Sequence, residues 1–127
     1  MEMSPRKCLK NLKSVMKDLL SWSDFEKVEM RVGTIIEVMD FPEAYNPSYK
    51  LRIDFGKDLG VKKTSAQITV RYAKEELLGK QIVAVVNFPV KQIGPFMSEC
   101  LVLGAVNGKE VTLLEPGKDV DNGLRIS

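Results

Sequence analysis

From Glu29 onward, apolar residues fall at every second position. Met30, Val32, Thr34, Ile36 and Val38 alternate with Arg31, Gly33, Ile35 and Glu37. This is the period of a half-buried strand, and Gly33 sits where a small barrel would bend or bulge it. After a loop with two prolines at 41–47, Tyr49, Leu51, Ile53 and Phe55 alternate with Lys50, Arg52 and Asp54 and predict a second strand. The chain turns at 56–60. Ala66, Ile68, Val70 and Tyr72 then alternate with Ser65, Gln67, Thr69 and Arg71 and predict a third. Residues 73–78 read as a short helix closed by Gly79. Residues 81–86 and 100–106 are apolar at nearly every position, the pattern of strands buried on both faces. Residues 111–114 follow an Asn107-Gly108 turn and predict a last strand.

The first residues have a different period. Leu9, Leu12, Met16 and Leu19 recur at helical spacing, Val15 and Leu20 widen the stripe, and Lys10, Lys13 and Lys17 fall opposite. An amphipathic helix is predicted here. Its apolar face would pack on the domain or on a sister subunit, or its basic face would meet RNA or a partner. Ser23-Asp24-Phe25-Glu26 has the form of a capping box and opens a short helical turn. The expected organisation is an N-terminal helical extension at 1–22 and one domain at 23–127. Three short strands, a short helix and further short strands predict an all-β fold with short helices: a five-stranded Greek-key barrel of the OB type with an N-terminal amphipathic helix.

Composition narrows the chemistry. The 127 residues suffice for one domain with a real core. The formal net charge is +2, so any nucleic-acid binding must come from a local patch. There is no histidine, which removes the usual general base, the usual metal ligand and the Ser-His and Cys-His nucleophile arrangements. No carboxylate cluster and no Gly-rich phosphate loop stands in its place. Neither an enzyme nor a metal site nor a cofactor is expected. Cys8 and Cys100 form no CxxC and read as reduced thiols. No stretch is apolar enough to span a membrane, and lysines interrupt the N-terminal apolar residues, so no signal-peptide core forms. A cytoplasmic protein without membrane insertion is expected.

Polar residues on the second and third strands suggest a binding face. OB barrels bind ligands there and on the adjoining loops. Lys50 and Arg52 supply cations, and Ser65, Gln67, Thr69 and Arg71 supply hydrogen-bonding groups and a further cation. The stretch Val85 to Gly104, "VVNFPVKQIGPFMSECLVLG", joins the fourth and fifth strands and would wall the groove. Pro89 and Pro95 lower the entropy of this crossing. Phe88 and Phe96 are candidate anchors beside Asn87, Lys91 and Ser98.

The motifs "DFEKVEMRVGTIIEV", "DFPEA", "LRIDFG", "SAQIT", "VVNFPVKQIGPFMSECLVLG" and the final "NG" occur in an order that resembles the CsaA family, a stand-alone branch of the tRNA-binding-domain superfamily. The resemblance runs from about Asp24 to the C-terminus. It implies an OB-fold homodimer that acts as an export-related chaperone for unfolded or presecretory polypeptide. The wider superfamily binds tRNA without strong sequence preference. Asn87, Lys91, Gly94 and Ser98 match the pattern of the tRNA-binding branch. Cys100 stands where that branch has Gly and Leu101 where it has Met, which is closer to the CsaA form.

Two binding readings follow. A polypeptide would lie in a groove formed by Phe88, Phe96, Ser65, Gln67, Thr69 and Asn87. A tRNA would contact Lys50, Arg52, Lys62, Lys63, Arg71, Asn87, Lys91 and Ser98, with Phe88 or Phe96 stacking a base. Val83, Val85, Leu101 and Leu103 belong to strands apolar on both faces. They need cover from a partner subunit or from the N-terminal helix.

Overall fold

The computed structural model describes residues 18–127. Most of the predicted N-terminal helix lies outside the described residues. Leu19 and Leu20 are described, and they are non-helical and exposed.

The elements are α1 (Trp22–Glu26), β1 (Met30–Asp40), β2 (Tyr49–Asp54), β3 (Val61–Ala66), α2 (Lys74–Leu77), β4 (Gln81–Val85), β5 (Lys91–Ile93), β6 (Phe96–Ser98), β7 (Leu101–Val102), β8 (Gly104–Asn107) and β9 (Glu110–Leu113). Five strands form one antiparallel sheet in the order β3-β2-β1-β4-β7. The sheet curls until β3 meets the segment between β6 and β7. There the Glu99 backbone donates to Lys63 O at 2.8 Å and the Lys63 backbone donates to Glu99 Oε1 at 2.9 Å. The result is a nearly closed barrel of the OB type, all-β with short helices.

One long strand makes the curl possible. Met30 to Thr34 pair with β4, and Thr34 to Asp40 pair with β2. The register slips between Ile35 and Glu37, so the bulge falls at Ile36 and not at Gly33. Gly33 has another reason to be glycine. A Cβ there would lie 2.6 Å from Ile53 Cγ2 and 2.7 Å from the Phe55 ring. Along the free edge of this half of β1 runs the C-terminal segment. Val32 donates to Leu124 O, Gly123 to Val32 O and Ile126 to Met30 O, at 3.0, 2.7 and 2.9 Å.

In β2 the core follows the alternation seen in the sequence, but in β1 it does not: Ile35, set opposite the apolar run by the period, is buried, and Ile36, at the bulge, is exposed. Ile35, Leu51, Ile53 and Phe55 point inward and join Ile68, Leu77, Ile82, Ala84, Cys100 and Leu113. Lys50 and Arg52 fall on the outer face, as the period of two requires.

Local signals misplace several boundaries. The third strand is Val61–Ala66 rather than a run ending at Tyr72. Register in a hairpin follows the turn, and positive φ at Gly56 and Gly60 sets β3 against β2 from Val61 onward. Residues 67–72 leave the sheet. Ile68 fills the core, and the Tyr72 hydroxyl accepts from the Leu113 backbone at 2.9 Å. The cap of α1 is Ser21, whose Oγ accepts from Asp24 N at 3.1 Å, not Ser23. Gly79 does not continue the helix into a left-handed cap. Leu78 (φ −64, ψ 125) and Gly79 (φ 86) are the central pair of a type II turn, closed by Lys80 N to Leu77 O at 3.0 Å. The last hairpin turns at Gly108 and Lys109, one residue later than the Asn107-Gly108 signal.

The fifth strand breaks into β7 and β8 at Leu103. That residue donates to Val83 O and accepts from Leu114 N. Val83 and Val85 are buried within the single chain, so neither needs a partner subunit for cover. Leu101, on the same apolar run, stays about half exposed.

Candidate functional site: an apolar cleft beside a cationic sheet face

The crossing between β4 and β7 is itself a small hairpin. Lys91 pairs with Ser98, Gln92 with Met97 and Ile93 with Phe96, around a Gly94-Pro95 turn with Gly94 at φ 59. Only φ > 0 reverses the chain this tightly, which favours glycine. The base of this arm is tied to the barrel by buried hydroxyls. Thr64 Oγ1 donates to Cys100 O at 2.6 Å and lies 2.9 Å from Ser98 Oγ. Ser98 is therefore a buried structural residue and offers nothing to a phosphate.

Asn87, expected in both binding sets, is also spent within the chain. Its Oδ1 accepts from Glu29 N at 3.0 Å and its Nδ2 donates to Lys27 O at 2.6 Å. It joins the exit of α1 to the end of β4. Asn87→Ala should lower stability by about 1 kcal/mol, read as a lower urea midpoint at unchanged slope. It should also speed hydrogen exchange at the Glu29 amide.

The arm, the 44–48 loop, the end of β3 and the β7–β9 strands enclose a cleft of ≈ 1180 Å³. Ser65, Gln67, Phe88 and Lys91 line it, as the sequence suggested. Apolar side chains in it remain open to solvent: Tyr45 at 99%, Val106 at 71%, Phe88 and Val90 at 54% and Leu101 at 48%. Of these, Phe88 stood out in the sequence as a candidate anchor and Leu101 as an apolar residue in need of cover. Tyr45 and Val90 belong to no periodic run, and each adjoins a proline-bearing loop, the one signal that could have marked them. Val106 lies on β8, and only the tertiary turn of the last hairpin brings it here.

Phe96 is not part of the cleft lining. Its ring tilts against that of buried Phe41, with centroids 5.4 Å apart. Lys50 Nζ lies 5.8 Å and Lys63 Nζ 5.4 Å from its centroid, and Lys50 also sits 5.2 Å from the Phe41 ring. The ring holds two ammonium groups by cation–π attraction.

Register explains the grouping. Lys50 is opposite Ser65 and Arg52 is opposite Lys63, all on the outer face. Arg52 is paired with Glu37 at 3.3 Å, whereas Lys50 and Lys63 have no carboxylate partner among the described residues. Lys62 alternates onto the other face of β3. Thr69 lies in the turn after β3, outside the cleft lining. Arg71 is drawn to Glu110 at 3.6 Å, beside the last hairpin.

Cys100 also lines the cleft, yet it is 6% exposed. Burial pushes its thiol up from 9.0 to about 12, against the Thr64 hydroxyl and the Lys62 charge, which pull it down. Among the described residues no cluster of metal-ligating side chains occurs, and no helix is long and apolar enough to cross a membrane.

Comparison with known proteins bears on what such a barrel is for. Residues 30–125 match the family described as "Putative tRNA binding domain". The fold and sequence are similar to those of the CsaA chaperone of Bacillus anthracis str. Ames, with TM-score 0.83 and 48% identity over 87% of this chain and 100% of that one. The CsaA chaperone protein of Picrophilus torridus matches at TM-score 0.81 and 52% identity, over 86% of this chain and 100% of that one.

The chain belongs to the CsaA branch of the tRNA-binding-domain family.

The same CsaA-type barrel is similar to a part of larger proteins. The methionine–tRNA ligase of Nanoarchaeum equitans is 39% identical over 108 residues, 85% of this chain. This chain spans only 14% of that ligase's length. The barrel thus occurs both as CsaA chaperones of nearly this size and as a small portion of tRNA ligases.

Proposed function

We propose that this CsaA-type protein is a non-catalytic chaperone that takes unfolded or presecretory polypeptide into the apolar cleft, acting as a cytoplasmic homodimer without a cofactor. The observation that carries this reading is the open set Tyr45, Phe88, Val90, Leu101 and Val106 around one cleft. Exposed apolar surface gathered in a concavity is what a ligand with apolar side chains can bury, at about 25 cal/mol per Å². Ordering a flexible chain consumes part of that gain, so micromolar affinity is expected.

A second reading is tRNA binding. The unpaired Lys50 and Lys63 beside Arg52 favour it, as does the family match. In this reading the contacts go to phosphates, because the Phe96 ring already carries two lysines.

One set of titrations separates the two. A labelled apolar peptide and labelled bulk tRNA are each titrated with wild type, with a Phe88→Ala/Leu101→Ala variant and with a Lys50→Ala/Lys63→Ala variant. The polypeptide reading expects the first variant to weaken peptide binding about tenfold and the second to leave it unchanged. The tRNA reading expects the reverse dependence, with log K falling against log salt by about 0.7 to 0.9 per neutralised phosphate. Peptide affinity unmoved by loss of Phe88 and Leu101 would remove the cleft as the working surface.

A further inference from the structure

We propose that the cleft selects apolar polypeptide segments flanked by acidic residues and disfavours those flanked by basic ones. This specificity rests on the polypeptide reading of the same cleft.

The observation is the composition of the wall. Aspartate and glutamate are absent from the described residues that line the cleft. Its charged members are Lys91, on the arm, and Lys109, in the β8–β9 turn. Both are exposed, and neither forms an ion pair among the described residues. The chain as a whole is nearly balanced, with 17 acidic against 19 basic residues. Against that balance, both charged residues of the wall are basic. Elsewhere on this surface basic side chains do find carboxylates, as Arg52 finds Glu37 and Lys80 finds Glu115.

Apolar burial alone cannot discriminate among flanking charges, because it scales with area and not with sign. The lysines supply that discrimination. An acidic flank gains a charge pair at each. A basic flank meets repulsion and displaces no counter-charge, and this repulsive element carries much of the selectivity. Each exposed pair is worth a few-fold in affinity at most. Attraction for one flank and repulsion for the other, at two lysines, compound to about tenfold. The effect must fade as salt shortens the screening length.

The test uses the full chain and three labelled peptides that share one apolar core, flanked by two glutamates, two serines or two lysines at each end. At low salt the glutamate-flanked peptide should bind about tenfold more tightly than the lysine-flanked one, with serine between. In a Lys91→Glu/Lys109→Glu variant the order should invert, and at high salt it should collapse in both proteins. Equal affinity of all three for wild type, or preference for the lysine flank, overturns the charge selectivity and leaves the polypeptide reading standing. If none of the three binds while bulk tRNA does, the polypeptide reading falls, and these lysines belong to a nucleic-acid surface.

Discussion

Gly33→Ala should lower the stability of the barrel by about 2 kcal/mol, a large share of the 5–15 kcal/mol by which domains are typically stable. Two effects compete at this position. Removing a glycine from a strand stiffens the unfolded chain and ordinarily stabilises by up to about 1 kcal/mol. The added Cβ, however, would stand 2.6 Å from Ile53 Cγ2 and 2.7 Å from two atoms of the Phe55 ring. Ile53 and Phe55 are fully buried core residues, so neither can yield without disturbing its neighbours. The steric term is the larger, and the sign is destabilising.

Gly60→Ala makes a useful contrast. That position has φ 73 and open space around the missing Cβ, so it tests backbone strain without crowding. Urea unfolding should show the Gly33 variant with a much lower midpoint at the same slope, and the Gly60 variant with a smaller shift. A Gly33→Ala protein as stable as wild type would mean that β1 and β2 do not approach as closely as described here. The seam on which the barrel curls would then be wrong.

Cys100 should react with iodoacetamide at pH 8 about three orders of magnitude more slowly than an unshifted thiol, because the thiolate is the nucleophile. The cause is burial, which raises the thiol from 9.0 to about 12. In denaturant the rate should return to that of an exposed cysteine. The same shift carries a pH dependence of stability. The unfolded thiol ionises near its ordinary value while the folded thiol remains protonated. The stabilisation is therefore complete below pH 9 and is lost as pH rises from 9 towards 12. Lysines and tyrosines titrate in the same window, so the diagnostic quantity is a difference. The alkaline fall in stability should be shallower in Cys100→Ala than in wild type, whatever the variant's baseline. The reading is taken in a Cys8→Ser background, so that Cys100 is the only thiol; its rapid alkylation in the native protein at pH 8 would show that it is open to the cleft and available to an occupant.

Much of this fold was legible in the chain. The period of two in β2 placed Leu51, Ile53 and Phe55 inside and Lys50 and Arg52 outside, whereas in β1 it set Ile36 on the apolar face and Ile35 opposite, and the structure buries Ile35 and exposes Ile36. Strand alternation is a local property of the backbone and holds wherever no bulge interrupts it, as in β2; the bulge at Ile36 breaks it in β1. The run Gln81 to Val85, apolar at nearly every position, was rightly read as buried on both faces. It did not reveal that one chain supplies all the cover. The motifs from Asp24 to the C-terminus were enough to point to the CsaA family, because several of them occur in order over most of the length.

The candidate site was less legible. Phe88 and Phe96 looked equivalent, two aromatics in one crossing. The arm hairpin sends them apart, Phe88 to the cleft and Phe96 to the cation-bearing face. Asn87 and Ser98 looked like ligand-binding groups because they are polar residues between apolar runs. Each instead satisfies groups of the chain itself: two backbone atoms for Asn87, and the buried hydroxyl of Thr64 for Ser98. A polar residue announces hydrogen-bonding capacity in sequence, but only its neighbours in space decide who receives the bond. The sequence by itself determined the inward and outward faces of β2, because alternation in an unbroken strand depends only on adjacent residues, while the bulge that reset the faces of β1 was decided by its pairing. The tertiary structure alone decided which exposed residues form one cleft and which lysines go unpaired. Those juxtapositions join residues as distant as Tyr45 and Val106, brought together by barrel closure and hairpin register.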